Sequence, residues 1–149
     1  PHLGAPVIPG ASAGAWWLAA AHPSAAQVWR EWSTAQRLAM IPAGYRWDAL
    51  KLPTARLADI TGADAPWRTA PLLVDSPVER AYILVPPGTA ATWDVPGTSC
   101  LGRGFWISVA NPVERRQPDC ARWHTPPTAH PTLADPAALR AALTARTTP

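Results

Sequence analysis

Nineteen prolines in 149 residues limit what this chain can build. Each proline restricts φ and lacks a backbone N–H, so it ends helices and stays out of central strands. With nine glycines alongside, the pattern calls for short elements joined by many turns. A hydrophobic share of 48% against 15% charged residues excludes a disordered chain and a coiled coil. The length suits one domain with a sizeable core. Nine tryptophans could supply much of that core, since each buries about 150–250 Å².

The formal charge is +3, far from that of a nucleic-acid-binding tail. Twelve arginines stand against one lysine, Lys51. Arginine suits bidentate phosphate or carboxylate contacts, while a GC-rich genome also writes arginine freely. Cys100 and Cys120 do not make a disulfide framework. "AGAWWLAAA" is too short to span a bilayer and lacks signal-peptide flanks, so a soluble cytoplasmic protein is expected.

Residues 1–11 read as an extended arm and residues 12–149 as a single domain. Ser12 caps a predicted helix that stops near His22 and Pro23. Ser24 with Gln27 forms a capping box for a second helix, which turns Val28, Trp29 and Trp32 to one face. Residues 37–42 and 46–52 read as strands, and 54–61 as a short helix. Strands follow at 72–75 and 80–86, then one helical turn at 89–93. Residues 97–104 read as a loop, 105–110 and 121–124 as strands. Asp135 caps a closing helix with Pro136 in its first position and Leu139 and Leu143 inward. The expected class is α+β: a single mixed or antiparallel sheet with helices packed on one face.

Three constellations compete for chemistry. Cys100, Cys120, His124 and His130 offer zinc-type ligands, but only Cys120 and His124 form a close pair. Ser99 or Cys100 with His124 offers a nucleophile and base, without a nucleophile-elbow pattern. "GRGFW" (102–106) suggests a phosphate loop, yet it lacks the Lys-Ser/Thr of a Walker loop and precedes a strand rather than a helix.

The phrases Ile41 to Pro53, "YILVPPGTAATW" (82–93), "GRGFWISVANP" (102–112) and "ARWH" (121–124) resemble a known group in their order. They are similar to short actinobacterial proteins related to the N-terminal domain of bifunctional DNA primase/polymerases, the prim-pol branch of the archaeo-eukaryotic primases. The resemblance covers about residues 13 to 145. It implies a primase-polymerase-like sheet with an RRM-like core. In active members two carboxylates two apart on one strand hold divalent metals, because only i and i+2 share a face. A histidine on a neighbouring strand and a third acid before the glycine turn complete that site.

Here the acid-bearing strand is "WDALKLP". The pair would fall at Lys51 and Pro53, or in other registers at Ala49 and Lys51, Asp48 and Leu50, or Leu50 and Leu52. No register yields two carboxylates. "ERAYILVP" carries no histidine, and "TSC" stands where the third acid would be. The resemblance therefore implies a domain without catalytic residues, metal or cofactor. Lys51 and Asp48 then read either as charges on an edge strand or, for Lys51, as a cation filling a vacated metal site.

The leading expectation is an inactive primase-polymerase-like domain. It would bind a nucleotide or single-stranded nucleic acid on an anion face of Lys51, Arg80, Gly102, Arg103, Gly104, Trp106 and Arg122. The alternative is a protein-interaction or regulatory module on the same fold, and a cysteine-based enzyme ranks third.

Overall fold

The computed structural model describes residues 9–60, 65 and 67–147. Among these residues, three α-helices, α1 (Pro9–Ala19), α2 (Ala25–Trp32) and α3 (Pro136–Thr147), accompany seven strands. These are β1 (Leu38–Pro42), β2 (Asp48–Pro53), β3 (Leu72–Asp75), β4 (Arg80–Val85), β5 (Ser99–Leu101), β6 (Trp106–Ala110) and β7 (Arg122–Thr125). The class is α+β.

The start of α1 lies at Pro9, earlier than the Ser12 cap predicts. Proline suits a first helical position because its missing N–H would be unpaired there anyway. The first eight residues of the expected arm lie outside the described residues. Before α2 the Ser24 side chain accepts from the Gln27 N–H at 3.2 Å. The reciprocal bond of the box is replaced: the Ser24 N–H donates to His22 Nδ1 at 2.8 Å. Gln27 instead donates to Glu31. At the other end of the chain the Ala138 N–H donates to Asp135 Oδ2 at 3.2 Å, the expected cap of α3. Residues Thr54–Asp59 form the predicted short helix, as a 3-10 helix. At 6 residues it is long for that tighter form, which more often runs about three or four.

All the strand pairings are antiparallel, and they make two sheets in place of the expected one. A two-stranded ribbon pairs β1 with β6, and a five-stranded sheet runs β5-β2-β4-β3-β7. Helices cover both faces of the larger sheet, which corrects the one-face expectation. The physical reason lies in β2 and β4. Ala49 points to one face and Leu50 and Leu52 to the other, and none is more than 1% exposed. A strand apolar on both sides needs cover on both sides.

On the Ala49 face, Leu73, Leu84 and Trp123 pack with Leu18 of α1, Val28 and Trp32 of α2, and the β1–β6 ribbon. On the Leu50 face, Leu72, Ile83 and Val85 pack with Leu139 and Leu143 of α3 and with Ile60 and Trp67. A buried tryptophan usually finds a partner for its indole N–H, although that of Trp47 has none among the described residues. Trp32 and Trp123 find theirs in the carbonyls of Val109 and Ala110 on β6, at 3.0 and 2.7 Å. The Trp29–Trp32 pair, with ring centroids 5.0 Å apart, is packed rather than open for stacking.

Candidate anion-binding site

Two charges in the apolar run of β2 have separate explanations, and neither is a sheet edge. β2 lies between β5 and β4, so the edge-strand account of Asp48 and Lys51 is overturned.

Asp48 is 1% exposed. Its Oδ2 accepts the N–H groups of Gly88 at 3.1 Å and Ala90 at 2.8 Å. These bonds hold the 3-10 turn Thr89–Ala91 that follows β4. Oδ1 is buried with no hydrogen-bond partner. The acid is a clamp on a turn.

Gly102 explains how that turn reaches Asp48. A Cβ at Gly102 would sit 2.9 Å from the Ala90 Cβ and 3.4 Å from Asp48 Oδ2. The first glycine of "GRGFW" is thus a close-packing position. Gly104, at φ +97°, turns the chain into β6. Arg103 lies against Gly44, where a Cβ would fall 2.5 Å from the Arg103 backbone nitrogen. The Arg103 guanidinium stacks 4.8 Å above the Tyr45 ring. The glycine turn is built for packing.

Lys51 lies three residues along β2 and alternates to the Ala49 face. It is opposite Tyr82 on β4 and Ser99 on β5. Together with Leu52, Pro53, Arg80, Gly97, Thr98 and Ser99 it lines a cleft of about 210 Å³. Lys51 makes no ion pair or hydrogen bond among the described residues. Arg80 donates only to the carbonyls of Val78 and Glu79, at 3.3 and 3.2 Å. Among the described residues no carboxylate lines the cleft. Asp75 stands opposite Arg80 on β3 but forms no ion pair with it. Tyr82 beside Lys51 has its pKa raised, chiefly by burial and then by the charge of Asp75. Its hydroxyl therefore stays a neutral donor across the physiological range.

The seven expected ligand residues do not form one face. Lys51 and Arg80 meet in the cleft at the Pro53 end of β2. β5 carries the chain from Ser99 toward the Ala49 end, so Arg103 lies in the turn beyond Leu101, away from the Ser99 end. Gly102, Gly104 and Trp106 belong to that far end, with Trp106 on the separate ribbon opposite Pro42. Arg122 stands on β7, at the opposite edge of the sheet from β5, ion-paired with Asp119 at 2.6 Å. Ser99 and Thr98 enter the cleft unforeseen as ligand groups, because "TSCLG" reads as loop and becomes a strand only by pairing with β2. Thr98 is committed, accepting from the Trp93 indole and donating to the Val95 carbonyl.

Of the two cysteines, Cys100 is half-buried and Cys120 is exposed. Burial, and secondarily the charge of Asp48, pushes the Cys100 thiol up to about 12. A thiol that stays protonated at neutral pH is not a nucleophile. Among the described residues no three His, Cys, Asp or Glu side chains converge as metal ligands. Among them, too, no helix is long and apolar enough to cross a membrane. No protein family, no curated protein and no solved structure matches this chain.

Proposed function

We propose that this domain binds a phosphate group of a nucleotide or of single-stranded nucleic acid in the Lys51–Arg80 cleft, and that it does not catalyse nucleotidyl transfer. One observation carries the reading: among the described residues, two cations without carboxylate partners flank a cleft that no acid lines. The Ser99 hydroxyl and the neutral Tyr82 hydroxyl lie on the same sheet face. A volume of about 210 Å³ is below the range of whole-ligand pockets, which begin at about 300 Å³. It suits a phosphate with its nucleoside lying outside. The sequence resemblance to primase-polymerase-like domains, with their paired carboxylates and histidine missing here, supports this. Asp48, the one acid on β2, is engaged by the Gly88–Ala90 turn, and its neighbour at i+2 is Leu50.

The test is titration of a nucleoside triphosphate and a labelled single-stranded oligonucleotide at low salt, into the native protein and a Lys51→Ala/Arg80→Ala variant. Binding that falls in the variant and weakens with salt is the expected result. Equal binding by both proteins, or affinity indifferent to salt, refutes the site.

The second reading is a protein-interaction module, and a different surface favours it. Met40, Tyr45, Phe105 and Trp106 are all at least 42% exposed. Met40 and Trp106 share a face of the β1–β6 ribbon, and the His22 ring meets Trp106 edge-on at 5.6 Å. Absence of any nucleotide or oligonucleotide binding by the native protein would make this reading the stronger one.

A further inference from the structure

The fold turns the polar segment "ERRQPDC" (114–120) into the wall of a groove. Arg115, Arg116, Gln117, Arg122 and Trp123 line a cleft of about 460 Å³. Arg116 and Gln117 also line an adjoining cleft of about 390 Å³ with Arg37 and Pro118. The two clefts adjoin at Arg116 and Gln117. Together they make one grooved basic surface from the turn before β1 to the β6–β7 connection. Gln117 braces it: Oε1 accepts the Trp123 N–H at 2.7 Å and Nε2 donates to the Glu114 carbonyl at 3.1 Å.

We infer that this groove is a second anion site, separate from the Lys51–Arg80 cleft, for a ligand carrying two or more linked phosphates. Four guanidinium groups line it. Arg37, Arg115 and Arg116 have no carboxylate partner among the described residues. Arg122 is held by Asp119, which removes one charge, and Glu114 lies next in sequence without lining either cleft. The balance over the groove is positive by more than one carboxylate could neutralise. Guanidinium forks match phosphate oxygens two at a time, and several in one groove match closely spaced phosphates. The indole of Trp123 offers no open stacking surface: it is 7% exposed and its N–H is committed to the Ala110 carbonyl. The groove therefore reads phosphates and not bases. Linked phosphates occur in a nucleic-acid backbone and in inorganic polyphosphate, which share this chemistry.

The test uses the full chain with two probes, tripolyphosphate and a mixed-sequence single-stranded oligonucleotide, each titrated over a salt series. The variants are Arg115→Ala/Arg116→Ala, the cleft variant Lys51→Ala/Arg80→Ala, and a charge control, Arg46→Ala/Arg68→Ala, at exposed arginines elsewhere. The groove variant should bind at least one probe about tenfold more weakly than the native protein. For the oligonucleotide, its slope of log affinity against log salt should be shallower by about 1.4, two phosphates at about 0.7 each. Weakening with both probes points to phosphates in general, and weakening with the oligonucleotide alone points to a strand backbone. Native affinity and slope in the groove variant would overturn the inference. So would an equal loss in the charge control, or binding of neither probe by the native protein. The cleft variant bears only on the Lys51–Arg80 proposal: loss in that variant with native behaviour in the groove variant overturns this inference alone, and the reverse overturns that proposal alone.

Discussion

Removing the Asp48 carboxylate tests whether the acid in β2 is a structural clamp. In Asp48→Ala, the Ala90 N–H loses a charged acceptor at 2.8 Å and the Gly88 N–H one at 3.1 Å. A hydrogen bond to a charged group contributes about 1.5–3 kcal/mol. Gly88 is exposed, so water replaces its bond and that part falls to a few tenths. Relief of a buried carboxylate with one unpartnered oxygen offsets some of the rest. The expected net loss is about 1–2.5 kcal/mol. With a urea slope of about 2 kcal/mol/M, the midpoint followed by tryptophan fluorescence drops by about 0.5–1.2 M. Asp48→Asn keeps an acceptor oxygen and should lose less. Gly102→Ala pushes on the same turn through the 2.9 Å approach to Ala90, at about 1–3 kcal/mol. Because both act on one turn, the double variant should lose clearly less than the sum. An Asp48→Ala protein as stable as the native one, or strictly additive effects, would refute the clamp.

Thiol labelling of the folded protein at neutral pH should modify exposed Cys120 and spare Cys100, whose pKa is pushed up to about 12 mainly by burial. Two thiols reacting at equal rates would contradict the packing of β5. Glu31 has its pKa lowered from 4.5, first by the Gln27 side chain and then by the Met40 N–H at 2.9 Å. A depressed carboxylate contributes stability above its unfolded pKa that is lost as pH falls through the folded one. Glu31→Gln should therefore flatten the decline in stability below pH 4.5, and a decline as steep as in the native protein would show that Glu31 is not held at the outer edge of β1.

The main reason β2 carries both charges is now visible: Asp48 faces the turn after β4, and Lys51, on the opposite face of the strand, opens into a cleft. Nothing local in "RWDALKLP" distinguishes these fates. The partner of Asp48 lies 40 residues away. The cleft is assembled from β2, β4 and the start of β5, and the arginine groove from residue 37 and residues 115–122.

What the sequence determined by itself is what acts over a few residues. The Ser24 and Asp135 caps, the apolar runs of β2 and β4, the single turn after Gly88 and the inward Leu139 and Leu143 were all readable, because caps, periodicity and proline restraint work within a turn or a strand. Tertiary structure alone decided the lateral order β5-β2-β4-β3-β7, the strand character of Ser99–Leu101, the cover on both sheet faces and the separation of Arg103 and Arg122 from Lys51. These depend on which strand edges and apolar faces find each other across the chain. Such pairings are chosen by the total surface buried and the backbone bonds satisfied, a sum over distant residues that no local pattern contains.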